Sequence, residues 1–135
     1  MQANKTTDVD EAFPACDPGV APFGSRVLVQ IRTAKKTTSG GIILVAESRE
    51  IEHANTQVAK VVSVGSLAFK NRNTMESWPE GSWCAPGDFV RVPRYGGDRW
   101  TVKTSDDEEA VLVIFNDLDL VGKVTGDPLA IKAFL

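Results

Sequence analysis

Arg26–Val27–Leu28–Val29–Gln30–Ile31–Arg32 is the stretch whose reading decides the fold class. Its residues alternate, with Val27, Val29 and Ile31 on one face and Arg26, Gln30 and Arg32 on the other, which is the period of a half-buried strand. A second run, 57–64, places Val58, Val62 and Val64 on one face, with Lys60 interrupting it. Residues 89–92, 100–103, 110–115 and 120–124 are further short runs rich in β-branched or aromatic side chains. Between them stand the turn signals Pro86–Gly87–Asp88, Gly96–Gly97–Asp98 and 105–109. No stretch offers a 3.6-residue apolar stripe, so helix content is expected to be low. Five or six short strands separated by turns predict an all-β domain, a small barrel or sandwich.

The whole chain is 135 residues, the size of one domain with one core. Hydrophobic residues at 42% and charged residues at 24% are ordinary globular values, which argues against overall disorder. A net charge of −3 gives no electrostatic reason to expect binding to nucleic acid or to an anionic membrane. The first ten residues lack the apolar stretch of a secretory signal, and the longest apolar run, 42–46, is too short to span a bilayer. Two cysteines, Cys16 and Cys84, do not form a disulfide framework, and a reducing cytoplasm is the expected setting.

Enzyme and metal chemistry find little support. A zinc site needs about four ligands at close spacing, and Cys16, His53 and Cys84 are scattered. No phosphate-binding glycine loop or nucleophile elbow occurs. A Cys84–His53 nucleophile pair has no local support. Asp106, Asp107, Glu108 and Glu109 lack the interleaved spacing of a calcium loop and read as a solvated turn. The expectation is a non-enzyme with no cofactor and no metal.

Three segments do not fit a compact barrel. Residues 1–18 are polar and acidic and read as a flexible arm. Residues 32 to about 55 form a long polar excursion around one apolar island, and 66–85 form another that carries Trp78 and Trp83. Excursions of that length inside a compact domain usually serve a function. In the first, Gly40–Gly41 supplies backbone freedom immediately before Ile42–Ile43–Leu44. Pattern alone leaves two readings: an interior strand, or a mobile loop that keeps the aliphatic residues for a partner's groove. Trp78 and Trp83 likewise read either as core residues or as the two arms of a turn at Pro79–Glu80–Gly81.

Taken together, four blocks in order resemble the GroES-type co-chaperonins, the small lids of the chaperonin folding cage. The first is Pro22–Phe23–Gly24–Ser25–Arg26–Val27–Leu28–Val29. The second, Ser39–Gly40–Gly41–Ile42–Ile43–Leu44, is similar to the family's mobile-loop Ala-Gly-Gly-Ile-Val-Leu. The third is 58–65, and the fourth runs from Gly87–Asp88 through Tyr95–Gly96–Gly97 to Asp119–Leu120–Val121. The likeness covers about residues 20–124. Departures are Ser66–Leu67, where the family often has a second glycine, and a longer segment between Gly65 and Gly87. In its divergence and its extensions the chain looks like virus-encoded members, which replace a host's own lid in the host cytoplasm.

The resemblance implies a GroES-like barrel over 19–124, with a mobile loop at about 32–55, a roof segment at about 66–85 carrying Trp78 and Trp83, and an extension at 125–135. It implies chaperonin binding through Gly40, Gly41, Ile42, Ile43 and Leu44, and a heptameric ring sealed by 19–24 of one subunit against 120–124 of the next. Val20, Pro22, Phe23, Leu120, Val121 and Val124 would lie at that seam. The implied partners are a GroEL-type chaperonin, further copies of this chain and an encapsulated client protein; ATP would be bound by the chaperonin. Ordering one loop costs roughly 2–5 kcal/mol, and burying three aliphatic side chains returns about 1.5–3 kcal/mol each. Each contact would be weak and releasable, and the ring would make their sum tight. The competing readings are an oligonucleotide-binding barrel, for which Arg91, Arg94, Tyr95, Arg99 and Trp100 supply interleaved basic and aromatic residues, and a viral structural protein with no chaperonin partner.

Overall fold

The computed structural model of the chain describes residues 9, 12–32, 57–93, 95–104 and 109–130. Six strands make one antiparallel sheet: β1 Arg26–Ile31, β2 Val58–Val64, β3 Phe89–Arg91, β4 Asp98–Lys103, β5 Glu109–Asn116 and β6 Gly122–Lys123. Their order across the sheet is β4-β5-β1-β2-β3-β6, which leaves β4 and β6 at the edges. The fold is all-β, and each strand falls on a run that alternation or β-propensity marks in the sequence. A 3-10 turn, Asp117–Asp119, joins β5 to the approach of β6.

The main core lies on one face. Val27, Val29 and Ile31 of β1 meet Ala59 and Val61 of β2, Val90 and Val92, and Val113 and Phe115 of β5, with Ala68, Phe69 and Cys84 closing over them. The second run does not keep a single apolar face. The pairing of β1 with β2 shifts between Leu28 and Val29, so Val62 has no opposite partner in the register. Such a bulge moves every later side chain to the other side of the sheet. Val58 therefore points into a second cluster, while Ala59 and Val61, and beyond the bulge Val64, pack in the main one.

The face of β1 that carries Gln30 and Arg32 is also covered, and both residues are buried. Part of the cover comes from residues that composition sets apart from the barrel. Ala12 and Phe13 are buried in a cluster with Val58 and Val124, against which Phe89 and Leu129 pack. The Phe13 and Phe89 rings are 5.0 Å apart, and the Gln30 side-chain amide donates to the Pro14 carbonyl at 2.8 Å. A polar residue on a strand's second face can be buried once a partner for its amide is supplied from elsewhere in the chain.

One glycine is set by close approach. The Gly65 N–H donates to the Arg26 carbonyl at 2.8 Å and the Leu67 N–H to that of Gly24 at 2.9 Å. A Cβ on Gly65 would overlap the Gly24 carbonyl oxygen, so the chain crosses here only without a side chain. Gly97, at φ 73°, is fixed for two reasons, since a Cβ there would also meet Val113 Cγ1.

Candidate functional site

The residues singled out in the sequence fall into three places set by β1 and β2. The first is the end where β1 gives way to the long excursion. Ile31 pairs with Ala59, and the Arg32 N–H donates to the Val58 carbonyl at 3.1 Å. The excursion that carries Gly40, Gly41, Ile42, Ile43 and Leu44 therefore leaves and returns at adjacent points on neighbouring strands. Those five residues, with His53, Arg94 and 106–108, lie outside the described residues.

The second place is the opposite end of β2, about 20 Å away at the usual strand rise. There the chain leaves Val64 for residues 66–85. Lys70 bridges to Ser77, the Asn71 N–H donates to the Glu76 carbonyl at 2.7 Å, and the Trp78 N–H to that of Phe69 at 3.2 Å. The tip, 72–77, is exposed. A turn at Trp78–Pro79–Glu80–Gly81 follows, closed by the Gly81 N–H on the Trp78 carbonyl at 2.8 Å. Trp78 and Trp83 stack at 6.4 Å, and Trp83 lies 5.4 Å from Phe69. Both are partly buried and pack against the main core, so these rings hold the excursion down while its tip projects.

A carboxylate fixes the base of that excursion. Asp117 is 1% exposed; its Oδ2 accepts from the Phe69 N–H and its Oδ1 from the Leu118 N–H, both at 2.8 Å. Arg72 stands 3.7 Å from Oδ1 and donates to Ser25 Oγ at 3.2 Å. Phe69 has a φ of 63°, a left-handed conformation that costs a non-glycine residue about 1–3 kcal/mol. The charge-assisted bond from its N–H offsets that strain. Sequence reasoning did not find Asp117, because its partner is 48 residues away and nothing local marks it.

The third place is the sheet edge at β6 and the segment before β1. Phe23 is 83% exposed, Val121 70% and Val20 47%, so these two segments leave three large apolar side chains to solvent. Pro22 is half-buried. Leu120 packs against the main core, and Val124 is buried beside Phe13, so these two face into their own chain. Among the described residues strand β6 pairs with β3 only, through Val90–Lys123 and Arg91–Gly122.

Of the basic and aromatic residues that suggested an oligonucleotide surface, Trp100 and Arg99 are engaged within the chain. Trp100 Nε1 donates to the Pro18 carbonyl at 3.0 Å, Arg99 Nε donates to the Gly96 carbonyl at 3.0 Å, and the Arg99 guanidinium lies 6.0 Å from the Phe115 ring centre. Among the described residues no group of three or more His, Cys, Asp or Glu could hold a metal ion. Among them, too, no helix is long and apolar enough to cross a membrane.

Cys84 is a buried free thiol. Burial, and then the charge of Asp88, push its pKa up to about 11, against a smaller opposing effect of Lys123. Lys123 Nζ lies 3.5 Å from Asp88 Oδ2, which ties β6 to the turn before β3. The folded state thus holds the neutral thiol more strongly than the unfolded state does. The resulting stability is complete below pH 9, the ordinary value, and is lost as pH rises towards about 11. Thermal unfolding followed from pH 8 to 11 should show a decline that Cys84→Ala reduces. At pH 8 the native thiol should alkylate far more slowly than in the unfolded chain.

Residues 19–124 match the family described as the chaperonin 10 Kd subunit, a span that covers the whole sheet. The chain is also 31% identical over 85 residues to the protein named Co-chaperonin GroES in Listeria monocytogenes serotype 4b and in Listeria innocua serovar 6a. The same identity and span hold for the protein of that name in Listeria welshimeri serovar 6b. In each case the aligned region is 63% of this chain and 82% of the relative.

Proposed function

This chain belongs to the chaperonin 10 Kd subunit family, and from that premise we propose that it is a co-chaperonin that caps the nucleotide-bound ring of a GroEL-type chaperonin and closes a chamber in which a client protein folds. The observation that carries this reading is the family match over 19–124, which includes both the sheet and the Ser39–Gly40–Gly41–Ile42–Ile43–Leu44 block.

In this reading the contact is made by Ile42, Ile43 and Leu44, and Gly40–Gly41 allows the chain to turn into the groove. The closely placed stems at Arg32 and Val58 suit such an excursion, because they present it from the end of a rigid strand pair. The chain performs no catalysis and holds no cofactor. Its effect is thermodynamic: it binds one conformational state of the chaperonin better than the others and so shifts that population. It acts in the cytoplasm, the host's if it is virus-encoded.

Seven copies form the ring, with 19–24 of one subunit against 120–124 of the next. The side of β6 away from β3, unpaired among the described residues, and the exposed Val20, Phe23 and Val121 support this seam, since covering them would remove an open edge and apolar area from water together. The 66–85 excursion lies at the end of β2 away from the loop stems, which suits a roof over the chamber.

The test is ATP-dependent capture on a purified GroEL-type chaperonin, with native mass spectrometry of the free protein. Capture only with nucleotide, and a ring of seven at micromolar concentration, are the expected results. A monomer that never binds overturns the reading. Retention of single-stranded DNA on a filter without chaperonin capture would favour the oligonucleotide-binding alternative, which the internal engagement of Trp100 and Arg99 argues against.

A further inference from the structure

We propose that residues 12–18, which precede the family match, form a strap that holds the seam segment 19–24 in position for a second copy of this chain; the proposal rests on the ring reading above.

The strap is fixed at three points. Phe13 and Ala12 are buried against Val58, Val124 and Phe89. The Pro14 carbonyl accepts from the Gln30 amide at 2.8 Å, and the Pro18 carbonyl from Trp100 Nε1 at 3.0 Å. Directly after it, the Gly19 N–H donates to Asp17 Oδ1 at 3.0 Å, and Gly19 takes a φ of 73°, a left-handed turn that glycine adopts without strain. On the far side of the segment, the Arg26 N–H donates to the Phe23 carbonyl at 3.1 Å and β1 begins. Residues 19–24 are thus pinned at both ends, and the side chains between the pins include the exposed Val20 and Phe23.

Without the strap, 19–24 would be a loose chain end, and ordering it would oppose every docking event. With the strap, that ordering is complete before the partner arrives, which is how preorganisation raises affinity without a new contact. The same cluster reaches the other half of the seam. Val124 follows β6 directly, its N–H donates to the Phe89 carbonyl at 2.8 Å, and its side chain packs with Phe13. Leu129, beyond the family match, packs there too. One apolar cluster to which both extensions contribute therefore positions both edges that a neighbouring copy would join. Trp100 is a positioning residue in this arrangement, since it reaches the seam only through the Pro18 carbonyl.

The experiment uses the full chain carrying Trp100→Phe, which removes the indole donor and keeps an aromatic ring. Phe13→Ala serves as a second variant. Three quantities are read: the subunit concentration at which half the chains are in rings, backbone NMR order parameters at 20–24 in the dilute monomer, and thermal unfolding. Trp100→Phe should raise the half-assembly concentration at least tenfold and lower the order parameters at 20–24, with little change in unfolding temperature. Phe13→Ala should do the same and also lower the unfolding temperature. Unchanged assembly and unchanged order parameters in Trp100→Phe overturn the strap. If the native chain forms no ring, the ring reading fails by itself. The monomer's order parameters then still decide whether the strap holds 19–24.

Discussion

Replacing Ile43 with Asp is expected to abolish ATP-dependent binding to a GroEL-type chaperonin and to leave the thermal unfolding of the barrel unchanged. A carboxylate entering an apolar groove loses the transfer energy of the aliphatic side chain and adds a desolvation penalty. A loss of about 1.4 kcal/mol per loop is already tenfold per contact, and the loss is repeated at every subunit of a ring. The opposite outcome has an equally clear meaning. If 42–44 were an interior strand, a buried charge would destabilise the domain by several kcal/mol, well above the typical single substitution of about 1 kcal/mol. Paired measurements of melting and chaperonin binding therefore separate the two readings that the sequence pattern leaves open. A large fall in melting temperature would remove the loop contact from the proposed function.

The second large effect is expected at Asp117→Ala. The substitution removes the acceptor for the N–H groups of Phe69 and Leu118, of which the first is buried. Leaving a buried donor unpaired costs about 1–3 kcal/mol, and the left-handed backbone at Phe69 then keeps its strain without the bond that offsets it. A total near 3 kcal/mol would lower the unfolding temperature by roughly 10 °C in a domain of this size. Asp117→Asn should be milder, because one oxygen remains to accept. Because Asp117 anchors the base of the 66–85 excursion and not its tip, amide protection should fall first at 67–71. Uniform loss of protection throughout the sheet, with no local phase, would show that Asp117 supports the domain as a whole.

Both expectations depend on relationships that the sequence reveals unequally. The alternation of 26–32 and the β-branched runs at 57–64 and 110–115 specify strands, because period-2 burial is a local property of a pleated backbone. The turns at Pro86–Gly87–Asp88 and Gly96–Gly97 are legible for the same reason, and the joint order of the four blocks is enough to identify the family. The position of the Gly40–Leu44 island between β1 and β2 is also fixed by chain order alone.

Which strands neighbour one another, and what covers their second face, is not local. Gln30 and Arg32 occupy positions that alternation assigns to solvent, and both are buried. For Gln30 the tertiary structure shows the cover, since the Pro14 carbonyl accepts its amide. The polar composition of 1–18 hides Ala12 and Phe13, two side chains that find an apolar surface only once Val58, Phe89 and Val124 have been brought together by β2, β3 and β6. The bulge opposite Leu28 and Val29 moves Val64 to the face opposite Val58, a change that no period within β2 can announce because it arises from the fit of two strands. Asp117 is the extreme case, a carboxylate beside a strand end whose role exists only because Phe69 folds back onto it. The sequence by itself determined the strands, the turns and the family, because these depend on neighbours within a few residues. Only the tertiary structure decided the strap, the bulge and the buried carboxylate, because each is an agreement between segments distant in the chain that packing and hydrogen bonding establish together.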